Sequence, residues 1–181
     1  MAMIGLVAAA AIAGPPAVFG IAVGQPLALP ECPRSETGHY DLIAAPNDCW
    51  SKGDADQGGA EVWLAAATQA HAPFARVPIW VGIRDGIVQK VTIRTTGIAS
   101  QEAVAHALVA KFGPPTTRAL DRLQNRMGAH FASARASWRK PNVIVEFDAS
   151  ESDLDDGAVE IMTPAEAARD REQRRANAPH F

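Results

Sequence analysis

The chain predicts an α+β domain: a mostly antiparallel sheet of about five strands with one packed helix and a charged C-terminal helix. Three observations predict it. Two β-branched runs flank Asp85-Gly86 between Val77 and Thr96, and a second pair of apolar stretches flanks Lys140-Pro141-Asn142. Between them Val104, Leu108 and Phe112 recur at the i, i+4, i+8 spacing of one helix face. Hairpins of period two joined by a helical period place a helix against one face of a sheet.

The chain opens with an apolar, alanine-rich leader. Met1 to Val23 carries no charged side chain, and Pro15-Pro16 cuts the run in two. A membrane-spanning helix needs about 20 consecutive apolar residues, so residues 1–13 read as a signal peptide. Ala11-Ile12-Ala13 is the cleavage motif and Gly14 the first mature residue. An uncleaved anchor and an ordinary buried segment are the alternatives, and the first basic residue comes only at Arg34. Leu29 stands three residues before Cys32, but Pro30 and Glu31 occupy positions where a lipoprotein cleavage site needs small residues. Lipidation is not expected.

Residues 14–59 form an N-terminal segment holding the two cysteines, Cys32 and Cys49. In an exported chain two cysteines pair, and this bridge closes a loop containing Pro33, Gly38, Pro46 and Asn47. On the chain-entropy account such a loop contributes roughly 3 kcal/mol. Two free buried thiols in a cytosolic protein are the alternative, and the spacing is far from the C-x-x-C of a redox pair. Leader and bridge together predict a periplasmic or secreted protein. From Cys49 to Gly59 the composition is that of an exposed loop.

The α+β domain spans residues 60–163. Val62, Leu64 and Ala66 alternate with Trp63 and Ala65 as in a strand, although Ala65-Ala66-Ala67 equally suits a short helix. In the first hairpin, a three-residue connection at Arg84-Asp85-Gly86 sets Ile79, Val81, Ile87, Val91 and Ile93 on one face. A two-residue turn instead puts Ile83 on the face of Val88, Lys90 and Thr92. The first register buries more apolar area and is preferred. The helix that follows has Ser100 as N-cap, Glu102 in its first turn and Gly113 as its end. Thr116 to Gly128 reads as a helical turn among charges, and Ala132 to Phe147 as the second hairpin. Asp148 to Gly157 reads as an acidic loop before a last strand around Val159 and Ile161. Thr163-Pro164-Ala165-Glu166 is a capping box with proline at N1, and residues 164–181 form a charged helix or solvated tail.

Ile21-Ala22-Val23-Gly24-Gln25-Pro26, the Asp85-Gly86 hairpin and Lys111-Phe112-Gly113-Pro114-Pro115-Thr116 resemble the recurrent features of small exported proteins of proteobacteria. The hairpin and the helix ending in Gly-Pro are similar to those of the α+β domains of outer-membrane assembly lipoproteins of the BamE type. The resemblance covers about Val77 to Thr163, and its motifs are turns and caps, so it identifies construction rather than activity. No lipidated cysteine follows the leader, and lipid anchoring is not carried over.

A formal charge of −3 with mixed signs provides no extended positive field, which argues against nucleic acid as a partner. His39, His71, His106, His130 and His180 lack the spacing of a zinc motif, no serine sits in a G-x-S-x-G elbow, and Asp153 to Gly157 breaks the register of a calcium loop. No cofactor, metal, catalytic residue or stable membrane span after processing is expected. Of Trp50, Trp63, Trp80 and Trp138, the preferred register sets Trp63 and Trp80 opposite the main core. They are the candidate partner-binding residues, unless a second apolar layer covers them. The expected function is a noncatalytic envelope protein that binds a protein partner or an envelope component through a sheet face or edge. A periplasmic inhibitor or immunity protein is the alternative. A hydrolase is a further one, and it requires His130 or His39 to meet an acid and a nucleophile.

Overall fold

The computed structural model describes residues 16–40, 47–53, 59–72, 74–124 and 127–177; the predicted signal peptide and its cleavage motif lie outside them. Among the described residues β1 (Ala17–Val18) and β2 (Ile21–Ala22) form a small ribbon. The other strands are β3 (Cys49–Lys52), β4 (Gly59–Trp63), β5 (Arg76–Arg84), β6 (Ile87–Thr95), β7 (Thr117–Gln124), β8 (His130–Arg139), β9 (Ile144–Asp153) and β10 (Asp156–Met162). The helices are α1 (Ala66–His71), α2 (Gln101–Phe112) and α3 (Pro164–Ala176). β3 to β6 and β7 to β10 are two meanders that meet where β6 pairs antiparallel with β10, giving one eight-stranded sheet in the order β3-β4-β5-β6-β10-β9-β8-β7.

The protein is therefore mostly β, and the expected α+β fold with about five strands is overturned. The missing strands have a physical explanation. β3 and β7 are the two edges of the sheet, and an edge strand need not bury a full apolar face. β7 reads Thr-Arg-Ala-Leu-Asp-Arg-Leu-Gln, with most side chains exposed, so its charges conceal a strand where a helical turn was expected. The expected acidic loop at Asp148 to Gly157 is likewise a tight hairpin, in which β9 runs on to Asp153 before β10 starts at Asp156.

The core lies on one face of the sheet, the inner face. A cross-strand row runs through Ala60, Val81, Val91, Ile161, Val145 and Trp138. All six are buried. Onto this row α2 sets Val104, Leu108 and Phe112, and the N-terminal segment sets Ile21 and Val23. The N-terminal segment is stitched on by its backbone: Gly24 N donates to Val88 O at 2.7 Å and Val88 N to Gln25 O at 2.9 Å. The helix begins and ends where expected, but the Ser100 hydroxyl donates to Gly97 O instead of capping it.

The first hairpin departs from the preferred register. Arg84 pairs with Ile87 around a two-residue turn, with φ of 52° at Asp85 and 76° at Gly86. Both left-handed residues suit the twist of a tight hairpin. A bulge then opposes Gln89 and Lys90 to Gly82, so Val81 faces Val91. The bulge returns Val91 and Ile93 to the inner face that a three-residue connection was needed to give.

The C-terminal helix is no free tail. Thr163 Oγ1 accepts from Glu166 N at 3.2 Å, the N-cap half of the expected box, while Thr163 N donates to Gln89 O at 2.9 Å, and Ala167 is buried against Ile144 and Met162. These last two residues point to the face opposite the core, so α3 packs on the outer face of the sheet.

Candidate functional site

The outer face follows from strand alternation. Between buried neighbours on every central strand stands a residue that faces away, and these form a row across all eight strands: Ser51, Glu61, Trp80, Thr92, Glu160, Glu146, Ser137 and Thr117. The row is polar except for Trp80, which is 38% exposed. One pleat along, the pairs Gly59, Gly82 and Lys90 lie side by side. Two glycines here present bare backbone.

The result is a groove of about 590 Å³ with Gly59 and Gly82 in its floor, Trp80 on one wall, and Glu166 and Gln173 of α3 on the other. Thr92 and Lys90 also line it. Its volume falls in the range of about 300–1,000 Å³ common to ligand sites. The indole supplies rigid apolar area, the hydroxyl and amide supply hydrogen bonds, and the glycines allow close approach to the sheet.

A charge network holds the α3 wall. Lys90 Nζ lies 2.6 Å from Glu160 and 2.7 Å from Asp170, and Arg174 reaches Glu160 at 2.9 Å. Glu146 and Glu160 stand directly opposite one another, a like-charge pair that costs stability on its own. Lys90 and Arg174 offset it. Burial disfavours the charge on Lys90, yet its hydrogen bonds to Asp170 and Glu160 outweigh that and hold its pKa above the usual lysine value. Burial opposes Arg174 in the same way, and attraction to Glu160 more than compensates. On the far side of Arg174 a second outer-face groove, about 380 Å³, is lined by Thr117, Arg135, Ser137, Glu146, Asp148 and Glu151 among others. Arg135 is held by Asp121 at 2.5 Å.

Of the two candidate partner-binding residues, Trp80 lines the first groove and Trp63 does not. Trp63 is on the same face, separated from Trp80 by Glu61, which pairs with Trp80. Trp63 is half-buried, and its indole N–H donates to Ser51 Oγ at 3.1 Å. Trp138 is buried in the core, where its N–H donates to Gly113 O at 2.7 Å. Cys32 and Cys49 form the expected disulfide. The bridge fastens Pro30–Cys32 alongside β3: Cys32 N donates to Trp50 O at 2.8 Å and Trp50 N to Pro30 O at 2.9 Å.

His39 and His130 are exposed and line neither outer-face groove. Among the described residues the first groove is lined by no histidine, serine or cysteine; its polar side chains are Lys90, Thr92, Glu166 and Gln173. Among the described residues no group of three or more His, Cys, Asp or Glu side chains is placed to hold a metal ion. None of the described helices is long and apolar enough to cross a membrane.

Lys90, Thr92, Glu166 and Gln173 were absent from the sequence-derived candidates. The alternation of Lys90 and Thr92 with Val91 and Ile93 carried a signal for the first two. Glu166 and Gln173 carried none, because their role depends on where α3 docks. No protein family, curated protein or solved structure matches this chain.

Proposed function

We propose that the protein is a noncatalytic binding domain of the cell envelope, exported and oxidised, which takes a protein or envelope component on the outer face of its sheet. One observation carries the reading: an exposed tryptophan lines a glycine-floored groove on the face that the main core leaves free. Aromatic residues at the centre of such a site supply most of the contact energy, while surrounding polar groups fix orientation. The Cys32–Cys49 bridge supports an oxidising compartment.

The experiment places a photo-crosslinking amino acid at Gln173 in cells, together with a Trp80→Ala version. Gln173 is exposed at the groove wall, so the substitution leaves packing intact. A discrete envelope adduct that disappears with Trp80→Ala supports the reading. An adduct pattern unchanged by Trp80→Ala, or none at all, overturns it.

A further inference from the structure

The inner face holds a different cavity. About 220 Å³ in volume, it opens between α2, the end of α1 and the β1–β2 ribbon. Ile93, Val104, Leu108, Val159 and Ile161 form its buried floor, and Phe19 and Phe74 stand at its sides. Among the described residues that line it two are polar, His71 and Lys111. Both are exposed, and neither forms an ion pair with a described residue. Lys111 follows Val104 and Leu108 at i+7 and i+3, so its stem runs along the apolar mouth while its ammonium faces water. His71 Nδ1 donates to Ala67 O at 2.8 Å, which leaves Nε2 of the neutral ring as an acceptor and Lys111 as the donor at the mouth. A cation in a last helical turn is favoured by the helix dipole alone. The dipole does not explain why Lys111 stands at the mouth of an apolar cavity with no acid among the described residues that line it.

We propose that this slot binds the chain of a single fatty-acid-like carboxylate, with Lys111 receiving the carboxylate at its mouth. The slot is smaller than the sites that hold drug-sized ligands, and its shape suits one aliphatic chain rather than a ring system or a whole lipid. Charge complementarity selects the anion over an alcohol of equal length. The site is independent of the outer-face groove, and neither proposal depends on the other.

Calorimetric titration with decanoate and with decanol tests it on the full chain. Saturable binding of one decanoate per chain, with decanol clearly weaker, is expected. Lys111→Glu weakens decanoate at least tenfold, whereas Lys140→Glu, at the β8–β9 turn, leaves it unchanged. Ala107→Phe fills the slot and abolishes binding. The proposal is overturned by an absence of saturable binding to the unsubstituted protein, by decanol binding as tightly as decanoate, or by Lys111→Glu binding as tightly as the parent. Uptake only onto phosphatidylglycerol vesicles, with no binding of the monomer, overturns it as well. The decanoate and decanol comparison needs no variant, so it stands even where a substitution disturbs folding.

Discussion

Lys90 of β6 and Asp170 of α3 meet at 2.7 Å across 80 residues of sequence. The contact fixes the helix to the sheet and sets the width of the groove between them. Lys90 also serves Glu160, so its removal leaves two half-buried carboxylates to share Arg174. Lys90→Met is expected to lower the unfolding free energy by about 1–2 kcal/mol, less than for a fully buried pair because the network is partly solvated. Urea unfolding of the two proteins checks this. A variant as stable as the parent counts against the anchoring role.

The same network gives a signed pH dependence. Lys90 has a raised pKa in the folded state, so its contribution is fully present below the unfolded lysine value, about 10.4, and is lost as pH rises through the higher folded value. The stability difference between the parent and Lys90→Met is therefore constant from neutral pH to about pH 10 and shrinks above it. A difference that grows with alkalinity would reverse the assignment.

The loop structure around α2 depends on Gly97. Its φ is +64°, and a Cβ there would lie 2.0 Å from Leu154 O. Gly97→Ala therefore combines an unfavourable backbone with a clash against the β9–β10 turn, and is expected to cost more than about 3 kcal/mol. Gly86, in the first hairpin, also has positive φ but open space around it. Gly86→Ala is expected to cost about 1 kcal/mol, from conformation alone. Equal effects at the two sites would contradict the packing of that turn against Gly97.

These two glycines mark what was legible in the sequence. The Asp85-Gly86 turn announced itself because hairpin chemistry is local, and so did the Thr163 cap and the Val104, Leu108 and Phe112 stripe. Gly97 gave no such signal, because its constraint comes from a residue 57 positions away, Leu154. The bulge at Gln89 was hidden for the same reason: it reconciles a two-residue turn with a core face that local pattern alone could satisfy only by a longer turn. The edge strand β7 was missed because most of its side chains are exposed and polar, and β3 because its buried face is Cys49 and Ser51 rather than an apolar run. Of the candidate groove, Trp80 was legible from alternation, while its α3 wall was not, since a helix rich in arginine and glutamate looks solvated until its partner charges on the sheet are known.

The disulfide is expected to be structural. Cys32→Ser with Cys49→Ser should lower stability by about 3 kcal/mol through the loop-closure entropy of the unfolded chain. Thiol labelling of the denatured, unreduced protein should detect no free sulfhydryl. Two labelled thiols per chain, or an unaffected melting point in the double variant, would remove the bridge from the account.

The tryptophans separate the two faces of the sheet in a single experiment. Trp138 is 1% exposed and its indole N–H donates to Gly113 O, so Trp138→Ala both opens a cavity and leaves a carbonyl unpaired at the end of α2. A loss of about 3–5 kcal/mol is expected. Trp80 pairs across the ladder with Glu61 and Thr92, its ring is partly in water, and no hydrogen bond holds its indole among the described residues. Trp80→Ala should therefore cost under about 1 kcal/mol, while quenching by iodide should affect the fluorescence of Trp80 and spare that of Trp138. If Trp80→Ala destabilised as much as Trp138→Ala, the outer face would be a second core. The indole would then be committed to packing, and the groove beside it would lose the one aromatic wall on which partner binding depends.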